Sequence, residues 1–220
     1  MPTLAIGDST PVVAIMTGKV VPYGPKGEPS AYIKHRIEGD VEITSLGLEG
    51  DEHAGGDKPD NALHHYPFDH YASFAIERPD LVPILRSQPA FAENLSTVGW
   101  TESDVCLGDR FQLGTAELEL SEGRAPRWKL GHRFGDPNMI DAIVATRRTG
   151  WFYRVVRPGR VGAGDAISLL SRPNPDWSVA RAFGLLVASD TDREALAELV
   201  GLPGLGASWL KRGRQRLGTS

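Results

Sequence analysis

The chain has 220 residues, 40% of them hydrophobic and 24% charged, with a net charge of −4. That length suits one domain with an appendage, and the acidic balance gives no global case for nucleic-acid binding. A single cysteine excludes an intramolecular disulfide and a multi-cysteine metal site. No apolar run approaches the roughly 20 residues that span a bilayer, and the N-terminus has no basic segment leading into an apolar one. A cytoplasmic protein without a membrane partner is expected.

The run from Pro11 to Met16 predicts a buried first strand, closed by Thr17-Gly18. Prolines and glycines between Val20 and Ser30 predict a loop. Ala31–Ile37 and Val41–Ile43 alternate like two strands of a hairpin around Gly39-Asp40, and Gly47–Asp60 is too rich in Gly, Asp and Pro for a regular element. From Pro67 the spacing of Tyr71, Phe74 and Ala75 predicts a helix that Pro79 ends. Val105–Phe111 and Ala116–Leu120 read as strands around a Gly114 turn, with Leu118 and Leu120 on one face and Glu117 and Glu119 on the other. Pro137–Thr146 predicts a helix, and Trp151–Val156 and Ala166–Leu170 predict two closing strands. Many short strands with glycine-rich turns favour a mainly β barrel.

Arg172–Asp176 reads as a linker, giving a barrel domain over 1–171 and a helical extension over 172–220. Ser178 predicts a cap for a helix reaching Val187, Asp190 or Thr191 a cap for a second, and Ser208–Leu217 a third, amphipathic and basic. Helices this short are marginal alone and are expected to dock on the barrel or on a partner.

The candidate site is the stretch from Ser121 to Arg133. Gly123 and Pro126 turn the chain out of the sheet, and Arg124, Arg127, Lys129, His132 and Arg133 follow closely. A basic loop leaving a buried strand holds its donors in fixed positions, as an anion site requires; the alternative is a solvated basic turn. Glu93-Asn94 is a second candidate pair, since Asn can bond a heterocycle edge and Glu can accept a donor or orient Arg127. Trp128 reads as core. The segment His64–His70 offers His64 or His65 as a pocket donor, or a zinc or iron site, although its spacing fits no recognised ligand set. Cys106, in a strand-like run, reads as a buried and inert thiol.

Several stretches, in order, resemble the MOSC-domain family and its YiiM-like branch: Gly47–Asp51, Asn61–Pro67, Phe91–Thr97, Thr101–Asp104, Gly108–Phe111, Pro126–Leu130, Gly150–Val155 and Pro158–Val161. The resemblance implies a MOSC-type β-barrel with peripheral helices and a small C-terminal helical extension. It also implies a molybdenum cofactor (molybdopterin), reduction of N-hydroxylated compounds, and an electron-transfer partner. The family's metal-ligating cysteine follows the proline of this loop, and here that place is held by Arg127. Arginine keeps its proton and has no lone pair for a metal. Two further departures are Ala92 where the family has glycine, and Gly56-Asp57-Lys58 where it has His-Gly-Gly. An alanine matters there if the backbone has positive φ.

The sequence thus nominates Arg127, Arg124, Lys129, Asn94, Glu93 and His65 as contacts for the cofactor or for a related anionic or heterocyclic ligand, with no catalytic residue assigned. The alternatives are a non-catalytic binding module that has lost metal ligation, in which Arg127 pairs with Glu93 or Asp51 and plugs the pocket, and a metal-dependent enzyme built on His64–His70.

Overall fold

The computed structural model describes residues 4–54, 58–87, 89–162 and 164–219. In chain order the strands of the first half are β1 (Ser9–Pro11), β2 (Ala14–Thr17), β3 (Val21–Tyr23), β4 (Glu28–Ser30), β5 (His35–Arg36), β6 (Val41–Thr44), β7 (Gly47–Leu48), β8 (Leu63–His65) and β9 (Leu95–Ser96). Helices α1 (Asp69–Glu77) and α2 (Val82–Leu85) lie between the last two. The second half holds β10 (Arg110–Leu113), β11 (Ala116–Gly123), α3 (Trp128–Phe134), α4 (Met139–Thr146), β12 (Trp151–Arg157), β13 (Gly159–Val161) and β14 (Ala166–Ser171). It ends in α5 (Val179–Leu186), α6 (Arg193–Val200) and α7 (Ala207–Leu217).

Nine strands form one curled, half-barrel sheet in the order β1-β14-β10-β11-β12-β8-β9-β2-β5, as the expected barrel architecture requires. The hairpin around Gly114 forms with Leu113 opposite Ala116. Leu118 and Leu120 are buried, while Glu117 and Glu119 face outward against Arg110. β8 and β9 pair in parallel through His65 and Leu95, with α1 and α2 making the crossover between them.

Five local expectations fail for physical reasons. The stretch Gly47–Asp60, expected to hold no regular element, opens with β7, where Gly47, at φ +122°, lets the chain turn back tightly so that Gly47 and Leu48 pair with Thr44 and Ile43. The hairpin around Gly39-Asp40 does not form: β5 pairs with β2, whereas β6 pairs with β13 and β7 in a separate sheet. Gly39, at φ +78°, carries the chain from one sheet to the other. The loop expected over Val20–Ser30 holds the β3–β4 hairpin, with Pro22 opposite Pro29. A two-stranded ribbon tolerates these prolines because its outer edges need no amide donor. The strand expected from Val105 begins only at Arg110, because Asp109 takes the Cys106 amide into a tight turn, 2.8 Å. Finally, α6 is capped by Asp192, not by Asp190 or Thr191; its side chain accepts from the Ala195 amide. Ser178 caps α5 as expected, accepting from Arg181 N–H.

The C-terminal helices dock on the barrel. Trp177, Phe183, Leu186, Leu199 and Trp209 belong to the same apolar cluster as Phe111, Leu118, Leu120 and Tyr153 of the sheet. A second cluster, with Tyr66, Tyr71, Phe74, Phe91, Leu130, Phe134 and Met139, fills the space beneath α1 to α4. It backs the site described next.

Candidate functional site: a basic pocket beside the end of β11

The stretch taken as a basic loop is a loop only from Arg124 to Arg127. Pro126 stops the strand, but nothing after it opposes a helix, and Leu130 and Phe134 share a buried face at i, i+4 spacing. α3 therefore starts at Trp128 and ends where Gly135, at φ +63°, caps it. Trp128 is 40% exposed, not core. Its indole lies over Gly24 of the β3–β4 turn, where a Cβ would come within 2.7 Å of the ring.

A pocket of about 860 Å³ opens between this segment and the residues after β4. Arg124, Arg127, Lys129 and Asn94 of the nominated residues line it, as do Tyr32, Lys34, Asp51, His64 and Ala92. Arg124 leaves the end of β11 anchored by its backbone: its amide donates to Gly150 O at 3.1 Å, and its carbonyl accepts the Thr149 hydroxyl. Its Nη1 donates to the Phe91 carbonyl and to His64 Nδ1, the latter at 3.1 Å. Nε and Nη2 have no partner among the described residues. Arg127 is exposed and pairs with neither Glu93 nor Asp51, so the plugged-pocket arrangement does not occur; among the described residues it has no ionic partner. Lys129 Nζ donates to the Pro29 carbonyl at 3.3 Å, and partial burial holds its amine below the ordinary range against the pull of Glu28.

Lys34 is the residue that sequence reasoning missed. Its ammonium and the Asp51 carboxylate form an ion pair with side chains only 7% and 1% exposed. Burial pulls Lys34 below the usual lysine range, and Asp51 opposes that pull. Asp51 also accepts from Gly18 N–H at 2.7 Å and from Asn94 Nδ2 at 2.9 Å. Asn94 spends its amide on the frame, since Nδ2 also donates to Met16 O and Oδ1 accepts the His64 amide. The sequence held one signal for Lys34: in an extended run it shares a face with Tyr32, two residues earlier.

Two nominated residues are not on the pocket wall. His65 is fully buried, its ring nitrogens 3.0 Å from the Tyr153 hydroxyl and 2.8 Å from the Thr97 hydroxyl. Burial depresses it to about 3. Its neighbour His64 takes the opposite face of β8 and lines the pocket; Leu63, a core residue, fixes that phase at i+2. Two contacts compete for His64 Nδ1: Arg124 Nη1, a donor, requires it unprotonated, whereas the Ala92 carbonyl at 3.3 Å requires it protonated; Nε2 is buried with no partner among the described residues. Burial, and then Arg124, hold His64 well below the ordinary histidine range. Glu93 is also fully buried, accepting from Tyr71 Oη at 2.5 Å and from Phe91 N–H at 3.1 Å.

Ala92 sits at φ +58°, the positive-φ backbone for which a glycine would be expected. Gly56 and Asp57 of the other changed motif lie outside the described residues, whereas His53 and Lys58 line the pocket. The three histidines of the 64–70 segment diverge: His64 faces the pocket, His65 the core, and His70 meets Glu102 at 2.7 Å. Among the described residues no cluster of three or more His, Cys, Asp or Glu is placed to hold a metal. Cys106 is buried away from the pocket with its thiol near Pro175 O, and burial pushes it up to about 12.

With the geometry in place, comparison with known proteins gives the family. Residues 50–168 match the MOSC domain, and residues 177–218 match the YiiM-like, 3-alpha helix domain. The chain belongs to the MOSC-domain family. It is 39% identical to protein YiiM of Escherichia coli over 93% of this chain and 91% of that one. A protein named reductase from Gibberella moniliformis is 39% identical over 79% of this chain, but the match spans only 31% of that longer protein. Among solved structures, Escherichia coli YiiM superposes with a TM-score of 0.80 at 34% identity, covering 96% of this chain and 92% of that one. YiiM from Geobacillus stearothermophilus gives 0.78 at 26% identity, covering 96% and 100%.

Proposed function

We propose that this MOSC-domain protein binds a small anion-bearing molecule in the pocket between Lys34 and Arg124, with Arg127 and Lys129 drawing it in from the mouth. The observation that carries the reading is that Lys34 and Arg124 both line the pocket with N–H donors unused by the described protein residues. A partly buried guanidinium with free donors suits phosphate, sulfate or carboxylate, which it grips through paired hydrogen bonds. Asn94 and Asp51 serve as frame, fixing Lys34 instead of meeting a heterocycle.

MOSC domains are generally associated with molybdenum cofactor. The residues present fit the phosphate of such a cofactor and do not fit thiolate ligation of its metal. Arg127 stands where the resemblance places the cysteine, and the chain's one cysteine is buried elsewhere. The reading therefore places a phosphate-bearing cofactor or substrate at the basic wall and routes no chemistry through a metal.

A second reading, reduction of N-hydroxylated compounds, draws support from the relative named reductase. Most of that relative's length lies outside the match, so the module here would need an electron-transfer partner.

The test is to express the protein where molybdenum cofactor is available, then assay bound phosphate, pterin and molybdenum. The expected result is an anionic ligand, lost in Arg124→Gln, with no side-chain-bound molybdenum until Arg127→Cys restores a thiolate. An unaltered protein that carries stoichiometric molybdenum on a side chain of residues 124–129 would overturn the reading.

A further inference from the structure

Glu93 is a fully buried carboxylate whose direct partners, Tyr71 Oη and Phe91 N–H, are both neutral donors. Among the described residues no cation lies within ion-pair distance of it. Yet it stands one shell behind the basic wall. The turn it braces, residues 90–92, presents the Phe91 carbonyl to Arg124 and the Ala92 carbonyl toward His64 Nδ1 at 3.3 Å. The brace is double, since the Tyr71 hydroxyl that donates to Glu93 also accepts the Ala90 amide at 2.8 Å. The titratable groups that face Glu93 come from each element around it. They are Tyr71 on α1, Tyr66 after β8, Tyr32 and Lys34 after β4, and Arg124 after β11.

We propose that Glu93 is a positioning residue that binds a proton when the pocket binds an anion, so that ligand uptake here is proton-coupled. The proposal rests on the anion-pocket reading above.

The physical reason is charge balance in a poorly solvated region. With the pocket empty, Arg124 and Lys34 lend Glu93 some stabilisation as an anion, through space. An anion seated on those two cations cancels that field and adds a negative charge nearby, which favours the neutral acid. The carboxylate then takes a proton from solvent. Tyr71 and Phe91 can still donate to its remaining lone pairs, so the turn keeps its shape. Linkage makes the effect reciprocal: whatever proton affinity the anion confers on Glu93, protonation confers as anion affinity. Burial, partly offset by the Tyr71 and backbone donors and by Arg124, raises Glu93 to about 7, which puts the exchange in the neutral range. His64, held well below its ordinary range, stays neutral there.

The experiment is calorimetric titration of the full chain with sulfate, which stays a dianion across the range, in buffers of different ionisation enthalpy from pH 5.5 to 9. If occupancy makes Glu93 tenfold more basic, proton uptake peaks at roughly half a proton per sulfate near neutrality and vanishes at either end. Sulfate affinity should rise up to about tenfold as pH falls through that window. Glu93→Gln should bind sulfate with no uptake peak, while His35→Gln, which removes an exposed histidine of β5 outside this pocket, should retain it. Should Glu93→Gln fold poorly, Tyr71→Phe serves instead: losing the donor makes the carboxylate more basic and moves the peak to higher pH. Sulfate binding without uptake in the unaltered protein, or an uptake peak that survives Glu93→Gln, would overturn the proposal. Absence of sulfate binding altogether would sink the anion-pocket reading itself.

Discussion

Replacing Lys34 by methionine separates the two things that the buried ion pair does. Methionine keeps much of the lysine stem, so the packing of the segment after β4 changes little. What changes is that Asp51, with its side chain 1% exposed, loses its cation. Removing one partner of a buried pair costs about 3–5 kcal/mol when the survivor is left uncompensated. Here the survivor keeps the Gly18 amide and the Asn94 side-chain amide as donors. Charge-assisted bonds of this kind contribute about 1.5–3 kcal/mol each, so the loss should fall below that range, at about 2–3 kcal/mol. For a chain of this size that corresponds to a drop in Tm of roughly 4–12 °C. The double variant Lys34→Met/Asp51→Asn removes the stranded charge and should recover much of the loss. Thermal and urea unfolding of the two singles and the double measure the coupling directly. A Lys34→Met protein as stable as the parent, or a double variant no better than the sum of the singles, would refute this account of the pair. Anion affinity must fall at least tenfold in both Lys34→Met and the double, because neither restores the cation.

Three further expectations concern the frame. Gly150→Ala should destabilise the fold by about 3 kcal/mol or more, because φ is +69° and the new Cβ would meet His65 O at 2.5 Å and His64 Nε2 at 2.8 Å; urea unfolding checks it. Trp209→Ala should cost about 3–5 kcal/mol, since this indole, 1% exposed, packs on Gly123 next to Arg124; sulfate affinity should weaken with it, measured below the variant's unfolding temperature. The third is the dependence of Tm on pH. His65 stays neutral in the folded chain down to about 3, whereas the unfolded chain protonates it near 6.5. Its contribution is therefore complete above roughly pH 6.5 and is lost as pH falls toward 3, and His64 acts in the same direction. Glu93 has the opposite sign: raised to about 7 in the folded chain, it contributes most below its unfolded value and progressively less as pH rises to 7. Glu93→Gln should thus steepen the fall of Tm between roughly pH 6.5 and 4.5; an unchanged slope would contradict that assignment.

The strands that carry the pocket were legible because their side chains alternate strictly. Leu118 and Leu120 against Glu117 and Glu119 located β11, and the basic residues after Gly123 located the wall. What the sequence concealed was phase and partnership. His64 and His65 are identical in type and adjacent, so only the burial of Leu63 decides which one faces the pocket. Glu93 and Asn94 read as ligand contacts because they are polar. Both are instead consumed by the backbone and side chains around them, and such partners come from segments distant in sequence. Lys34 was hidden for the same reason, its carboxylate lying seventeen residues away across a separate turn. The Ala92 substitution, by contrast, could be weighed in advance: it was expected to matter if the backbone has positive φ there, and the backbone has it.

The most direct test of the account is a crystal structure of the protein with selenate, located by its anomalous signal. The account predicts one strong peak within hydrogen-bonding distance of both Lys34 Nζ and the Arg124 guanidinium. A pocket left empty while selenate settles elsewhere on the surface, or selenate held by Arg127 and Lys129 without Lys34, would contradict it.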